Sequence, residues 1–216
     1  MFAECLGDLT PAGVVDTDKC DIDFRHRDSF FLIISKADFV VYAFAFQCII
    51  KDMIRIGQST DIHPLKEGRE LILGGVHIEH PFGCDGHSDA DALVHAIAEA
   101  ILGALALGDL GKHFPDTDPR FKGANSLDLL RHVMSLMRIK GYRVGNIDSI
   151  ILIEKPKMAP HIPMMKANLL PILEINEDQL NIKATRGEKL GFVGRQEGVM
   201  TQAVCLLVEE TDESKM

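Results

Sequence analysis

Asp61, Ile62 and His63 place a carboxylate and an imidazole two positions apart, the repeat that keeps side chains on one face of an extended strand. His95 would join them from a second segment, Gly86-His87-Ser88-Asp89-Ala90-Asp91-Ala92-Leu93-Val94-His95, which runs from a glycine turn into a helical pattern. One carboxylate and two imidazoles suit a zinc ion, and three protein ligands leave a fourth position open, as catalysis at the metal requires. The same residues also fit a plainer arrangement, a surface Asp-x-His pair and a helix histidine packed beside the core. Further motifs downstream weigh for the metal site.

The elements that must position these groups can be read from periodicity and turn residues. Ile54 to Gly57 reads as the first strand and delivers Asp61 and His63. Leu71 to Ile78 reads as two short strands about Gly74-Gly75, with His77 and His80 on an exposed hairpin face. From Asp91 to Leu107 apolar residues recur at helical spacing, among them Leu93, Ala96, Ile97, Ala100, Ile101 and Ala104. Asp91 and His95 are four apart and share a helix face. The carboxylate can then hold one imidazole nitrogen while the other binds metal, or it can sit at the favourable end of the helix dipole.

Gly108 to Pro119 carries glycine and proline at a density that excludes regular structure. Asn125 or Ser126 caps a helix ending near Lys140-Gly141, with Leu127, Leu130, Val133, Met134 and Met137 as its buried stripe. Asn146 to Glu154 reads as a mostly buried strand and ends in a stiff loop, Lys155 to Pro163, that carries two lysines. A shorter helix weakened at Pro171 follows. Leu180 to Ala184 and Val199 to Val208 are the remaining strands. This irregular alternation predicts an α/β (α+β) sandwich with one mixed β-sheet and helices packed on one face. A Rossmann glycine pattern and a phosphate-binding P-loop are both absent from the sequence.

A formal charge of −9 over 216 residues argues against general nucleic-acid binding. It leaves room for a small anion held by local basic groups and backbone N–H groups. Cys5, Cys20, Cys48, Cys84 and Cys205 are scattered, without a Cys-x-x-Cys pair, which fits a reducing compartment and a cytoplasmic location. Residues 1–52 read as an N-terminal extension, 53–210 as one domain and 211–216 as a tail; a natural start at Met53 is an alternative. Asp8, Asp16, Asp18, Asp21 and Asp23 are wrong for an organelle transit peptide. The uninterrupted apolar part, Phe39 to Ile50, is too short to span a bilayer, so no membrane association is expected.

Five collinear segments together resemble one family. They are Arg-Ile-Gly-x-x-x-Asp-Ile-His at 55–63, His-Ser-Asp-x-Asp at 87–91 with His95, and Leu-Gly-Asp-Leu-Gly-Lys-His-Phe-Pro-Asp-Thr-Asp at 107–118. The others are Lys-Pro-Lys-Met at 155–158 with Pro160 to Pro163, and Lys-Ala-Thr at 183–185 followed by Glu-Lys-Leu-Gly-Phe at 188–192. The family is that of the 2-C-methyl-D-erythritol 2,4-cyclodiphosphate synthases of non-mevalonate isoprenoid biosynthesis. The resemblance implies a homotrimer with active sites between subunits and a small-molecule cytidylyl diphosphate substrate that is cyclised with release of CMP. It implies zinc on Asp61, His63 and His95, and Glu188 as ligand of a second cation, Mg2+ or Mn2+. His87, Thr185 and Arg186 fall at the catalytic centre. Ser88, Asp109, Leu110, Gly111, Phe114, Pro115, Asp116, Thr117 and Asp118 would bind the methylerythritol phosphate end. Ile153, Glu154, Lys155, Pro156, Lys157, Met158, Ala159 and Gly187 would hold the cytidine diphosphate, with Phe192 and Arg195 near the phosphate end and the trimer axis.

Two departures stand out. Arg186 occupies the place of a second threonine usual in the family and is assigned phosphate contact. Gln58-Ser59-Thr60 stands where His-Gly-Phe is more usual, directly before Asp61. Two other functions remain open on the residues alone: a zinc-dependent phosphohydrolase, and a binding trimer without turnover.

Overall fold

The computed structural model describes residues 54–210, and its first element is a long strand, β1 (Ile54–Glu67). The expected extension over 1–52, with its apolar stretch, and the tail 211–216 lie outside the described residues. β1 runs well past Gly57 because its backbone is paired throughout. It lies antiparallel to β7 (Gly198–Glu209) from Ile54 opposite Val208 to Pro64 opposite Gly198. Its last residues, Leu65 to Glu67, pair with β4 (Phe82–Cys84). The ladder with β7 thus carries polar residues such as Gln58 and Thr60 that an apolar run could not predict.

β5 (Tyr142–Leu152) pairs antiparallel with β7 and parallel with β6 (Leu180–Thr185), giving one mixed sheet in the order β4-β1-β7-β5-β6. β5 begins four residues before the expected Asn146. The reason is an irregularity in its pairing with β7 between Val144 and Asn146, which shifts the buried set from Tyr142 and Val144 to Ile147, Ser149 and Ile151. β2 (Leu71–Leu73) and β3 (Val76–Ile78) form a separate ribbon, turning at Gly74 and Gly75 with φ of 60° and 70°, the left-handed values a two-residue hairpin demands.

The helices are α1 (Ala92–Ala104), α2 (Leu110–His113), α3 (Ser126–Ile139), α4 (Ile162–Leu173) and α5 (Gly191–Gly194). α2 and a 3-10 turn at Pro119–Phe121 lie in and beside the segment expected to lack regular structure. Each is started by an aspartate, Asp109 and Asp118, whose carboxylate accepts a backbone N–H. α4 keeps Pro171 within its last turn and ends at Glu174 in the left-handed region.

α1 is the centre of the core, with Leu93, Ile97 and Ile101 wholly buried against β1 and β7. The other face of the sheet stays open: Ile56 is 68% exposed, Ile62 53% and Val204 44%. Helices therefore cover one face, as expected. No described helix is long and apolar enough to cross a membrane.

Asp91 meets one of its two expected roles and not the other. Its carboxylate does not hold the His95 ring, and only the His95 backbone N–H reaches it, bonding the Asp91 carbonyl at 3.0 Å; Asp91 is the buried N-cap of α1. Its Oδ1 accepts from Gly74 N at 2.9 Å and Val94 N at 3.1 Å, and its Oδ2 accepts from Gly75 N at 2.6 Å. Burial pushes this carboxyl up to about 6, while the N–H groups of Gly75, Val94 and Gly74 pull against that rise. One side chain thus ties the β2–β3 turn to the start of the core helix. Asp91→Ala strands three backbone donors and is expected to cost roughly 3 kcal/mol in urea unfolding. A loss below about 1 kcal/mol would show that water or a shifted turn satisfies them.

Candidate functional site

Asp61 and His63 point to the helix-covered face of β1, and His95 reaches them from the first turn of α1. His63 Nδ1 is 3.0 Å from the carbonyl of Asp85. A carbonyl only accepts, so Nδ1 carries the hydrogen and Nε2 presents a bare lone pair. That Nε2 is 3.0 Å from Asp61 Oδ2 and 3.3 Å from His95 Nδ1. His95 Nδ1 is 3.2 Å from the same carboxylate oxygen. Ligand atoms on a tetrahedral zinc, bonded at about 2.0–2.1 Å, stand about 3.3 Å apart. The donor set therefore fits zinc in kind and in spacing, and it is the one metal-binding group found among the described residues.

The electrostatics agree. Burial works to raise the Asp61 carboxyl, but His63 and His95 outweigh it and hold it well below the usual carboxylate range. Burial also works to lower His63, and Asp61 outweighs it, so this imidazole is raised. Each shift reflects one carboxylate and two imidazoles crowded at one point, where a metal ion can take the place of the shared protons. A cation suits that arrangement.

Around this point lies a cavity of about 250 Å³ that brings together Asp61, His63, His87, Ser88, His95, Leu110, Phe114 and Asp116. Phe114 meets Phe121 edge-on at 5.3 Å between ring centres. A second cavity of about 210 Å³ gathers Ile153, Pro156, Lys157, Met158, Ala159, Thr185 and Arg186. The remaining predicted residues line neither cavity. Asp109 caps α2 through Lys112 N at 2.9 Å, and Asp118 pairs with Arg120. Gly111, Pro115 and Thr117 lie on the same segment, and Glu154, Lys155, Gly187 and Phe192 flank the second cavity in sequence. Glu188 Oε1 is 3.2 Å from the Arg186 guanidinium, and Arg195 is paired with Glu197 at 2.8 Å.

The structure adds residues that motif reading passed over. Glu99 lines the first cavity one turn beyond His95, and its carboxylate accepts from Ser59 Oγ at 2.6 Å. Its four-residue offset from His95 was the available signal. Phe121 and Leu129 complete the wall. Ser126, buried at the start of α3, lies 2.8 Å from His95 Nε2, and Asp89 holds Ser126.

Comparison with known proteins agrees with this geometry. A family model for the YgbB family matches residues 54–208. The 2-C-methyl-D-erythritol 2,4-cyclodiphosphate synthase of Geobacter sulfurreducens is 57% identical over 157 residues, which are 73% of this chain and all of that protein. The synthase of the same name from Ectopseudomonas mendocina is 58% identical, over 72% of this chain and 99% of its own. Among solved structures, the bifunctional IspDF of Campylobacter jejuni is similar with a TM-score of 0.69 at 40% identity, over 72% of this chain and 42% of that longer one. The Plasmodium falciparum IspF complex with CDP gives a TM-score of 0.65 at 35% identity, over 74% and 98% of the two chains. With a family model matched along residues 54–208 and relatives more than half identical over nearly their whole length, the chain belongs to the YgbB family, the family of its relatives named 2-C-methyl-D-erythritol 2,4-cyclodiphosphate synthase.

Proposed function

We propose that the chain cyclises 4-diphosphocytidyl-2-C-methyl-D-erythritol 2-phosphate to 2-C-methyl-D-erythritol 2,4-cyclodiphosphate, releasing CMP, in the non-mevalonate isoprenoid pathway. The observation that carries the reading is the convergence of Asp61, His63 and His95 on one wall of a cavity that also holds His87 and Ser88. A bound zinc ion would supply Lewis-acid neutralisation of phosphate charge there. In the reaction an oxygen of the 2-phosphate forms a bond to the β-phosphorus as the bond from that phosphorus to the bridging oxygen breaks. CMP departs with that oxygen, and no protein nucleophile takes part. Two anions must approach each other, so the barrier is electrostatic and positional. His87 and Ser88 donate hydrogen bonds to the attacking end, while Phe114 and Leu110 exclude water beside it.

The second cavity suits the other end of the substrate. Lys157, Thr185 and Arg186 offer charge and hydrogen bonds to a diphosphate beside the apolar Ile153, Met158 and Ala159. One reaction needs both cavities, and a neighbouring copy can bring its second cavity to the first. This reading makes the active unit a homotrimer with sites between subunits. The open apolar sheet face with Ile56, Ile62 and Val204 supports burial against other copies. Glu188 is the ligand offered to a second cation, Mg2+ or Mn2+, once its pairing with Arg186 is exchanged for the diphosphate. The enzyme works in the cytoplasm on this reading.

Phosphorus NMR with substrate, zinc and magnesium tests the proposal. A pair of cyclic diphosphate signals growing with CMP, and absent with Asp61→Ala, is the expected result. CMP with a linear phosphate product would instead make it a hydrolase, and bound but unchanged substrate would make it a binding protein.

A further inference from the structure

Ser126 is wholly buried and is not needed as a helix cap, because the Asn125 side chain already accepts from Leu127 N at 2.8 Å. Its hydroxyl owns one hydrogen, and that hydrogen goes to Asp89 Oδ1. Asp89 grips the same residue with its other oxygen, Oδ2, which accepts the Ser126 backbone N–H at 3.0 Å. The backbone on either side is pinned as well: Asp89 N donates to Ala124 O at 3.1 Å and Gly123 N to His87 O at 2.8 Å. A carboxylate accepts only, so the direction of the hydroxyl is settled. Ser126 Oγ can then only accept from its remaining neighbour, His95 Nε2, at 2.8 Å. Ser88 Oγ, 3.2 Å from that nitrogen, also takes the Ala90 N–H at 3.0 Å.

We infer that Asp89 and Ser126 are positioning residues that lock His95 with its hydrogen on Nε2 and its Nδ1 lone pair aimed at Asp61 and His63. The bonds run one way, from imidazole to hydroxyl to carboxylate. The inference rests on the metal-site reading and goes beyond it, since no ligand is among the two residues it assigns. It also has an unusual signature. Asp89 Oδ1 also accepts the Asp91 N–H, but at 3.3 Å, so in Asp89→Asn the oxygen is expected to stay on the shorter bond to the Ser126 N–H, at 3.0 Å, and the amide N–H faces Ser126 Oγ. The hydroxyl then turns and donates to His95 Nε2, which favours hydrogen on Nδ1, the wrong nitrogen for a ligand. Removing the hydroxyl should relieve that reversal.

The test is zinc affinity, measured on the full chain by competition with a chelator, together with nitrogen NMR of histidine-labelled protein. Wild type is expected to show His95 protonated on Nε2. Ser126→Ala should weaken zinc binding about 10-fold and Asp89→Asn about 100-fold. The double variant Asp89→Asn/Ser126→Ala should bind more tightly than Asp89→Asn alone, which a merely structural role would not produce. Wild type that binds zinc with either single variant equally tight overturns the lock alone, as does a hydrogen on His95 Nδ1 in wild type. Wild type that binds no zinc sinks the metal-site reading, and the purpose of the lock with it. The wild-type spectrum decides the protonation even if a variant fails to fold.

Discussion

Gly57→Ala is expected to unfold the domain or to lower its melting midpoint by about 8–16 °C, a loss of about 4 kcal/mol. At this position α1 crosses β1 so closely that an added Cβ would overlap the Ala100 carbonyl oxygen and stand 2.8 Å from Ala104 N. Both obstacles are backbone, so no rotamer change relieves them. The helix must move off the strand, which opens gaps around Ile97 and Ile101 in the middle of the core. It also carries His95 away from Asp61. Differential scanning fluorimetry and zinc binding should therefore fall together. A midpoint within about 2 °C of wild type would mean that α1 can ride higher on β1 at little cost.

Asp61→Ala is the second large effect, with turnover expected to fall by about a thousandfold or more. Asp61 Oδ2 is the oxygen that both His63 Nε2 and His95 Nδ1 face, so its loss leaves two imidazoles and no anion to hold a cation between them. The fold should survive, because Asp61 is only partly buried and its strand is held by the Thr201 pairing on β7. Thermal unfolding separates the two roles: zinc should raise the midpoint of wild type and leave that of Asp61→Ala unchanged. Turnover within tenfold of wild type would place the chemistry elsewhere in the cavity.

How much of this was legible depended on whether the partners were near in sequence. The pair Asp61 and His63 was legible, because alternation on a strand is a local rule and the strand is regular there. The α3 stripe was legible for the same reason, from Leu130 to Met137. Of the two roles open to Asp91, the carboxylate at the helix start was legible, and the contact with the His95 ring is not formed. The four-residue rule places Asp91 beside His95 only if both are helical, but Asp91 is the cap, with ψ of 90°, and its side chain folds back over the helix start. The early start of β5 was hidden by the pairing irregularity near Gly145, which breaks the two-residue repeat. Asp89, Ser126 and Ser59 could not be found by spacing at all. Ser126 meets Asp89 across 37 positions and Ser59 meets Glu99 across 40, contacts that exist only once α1, α3 and β1 are packed.

The neighbours at the middle of the sheet are the first and last strands of the described domain, β1 and β7. On the ribosome this has a cost in time. Within the described domain β1 emerges first, carrying Asp61 and His63, yet the strand that must lie along it is the last to be synthesised. Until then Ile54, Ile56 and Ile62 sit on an unpaired edge, the kind of surface that invites association with other nascent chains. Sheet closure across the whole domain is also slow, since the loop entropy is lost before the long-range contacts form. Of the groups that make the centre, those on β1 are thus translated before the strand that fixes them, and the sheet closes only once β7 has been made.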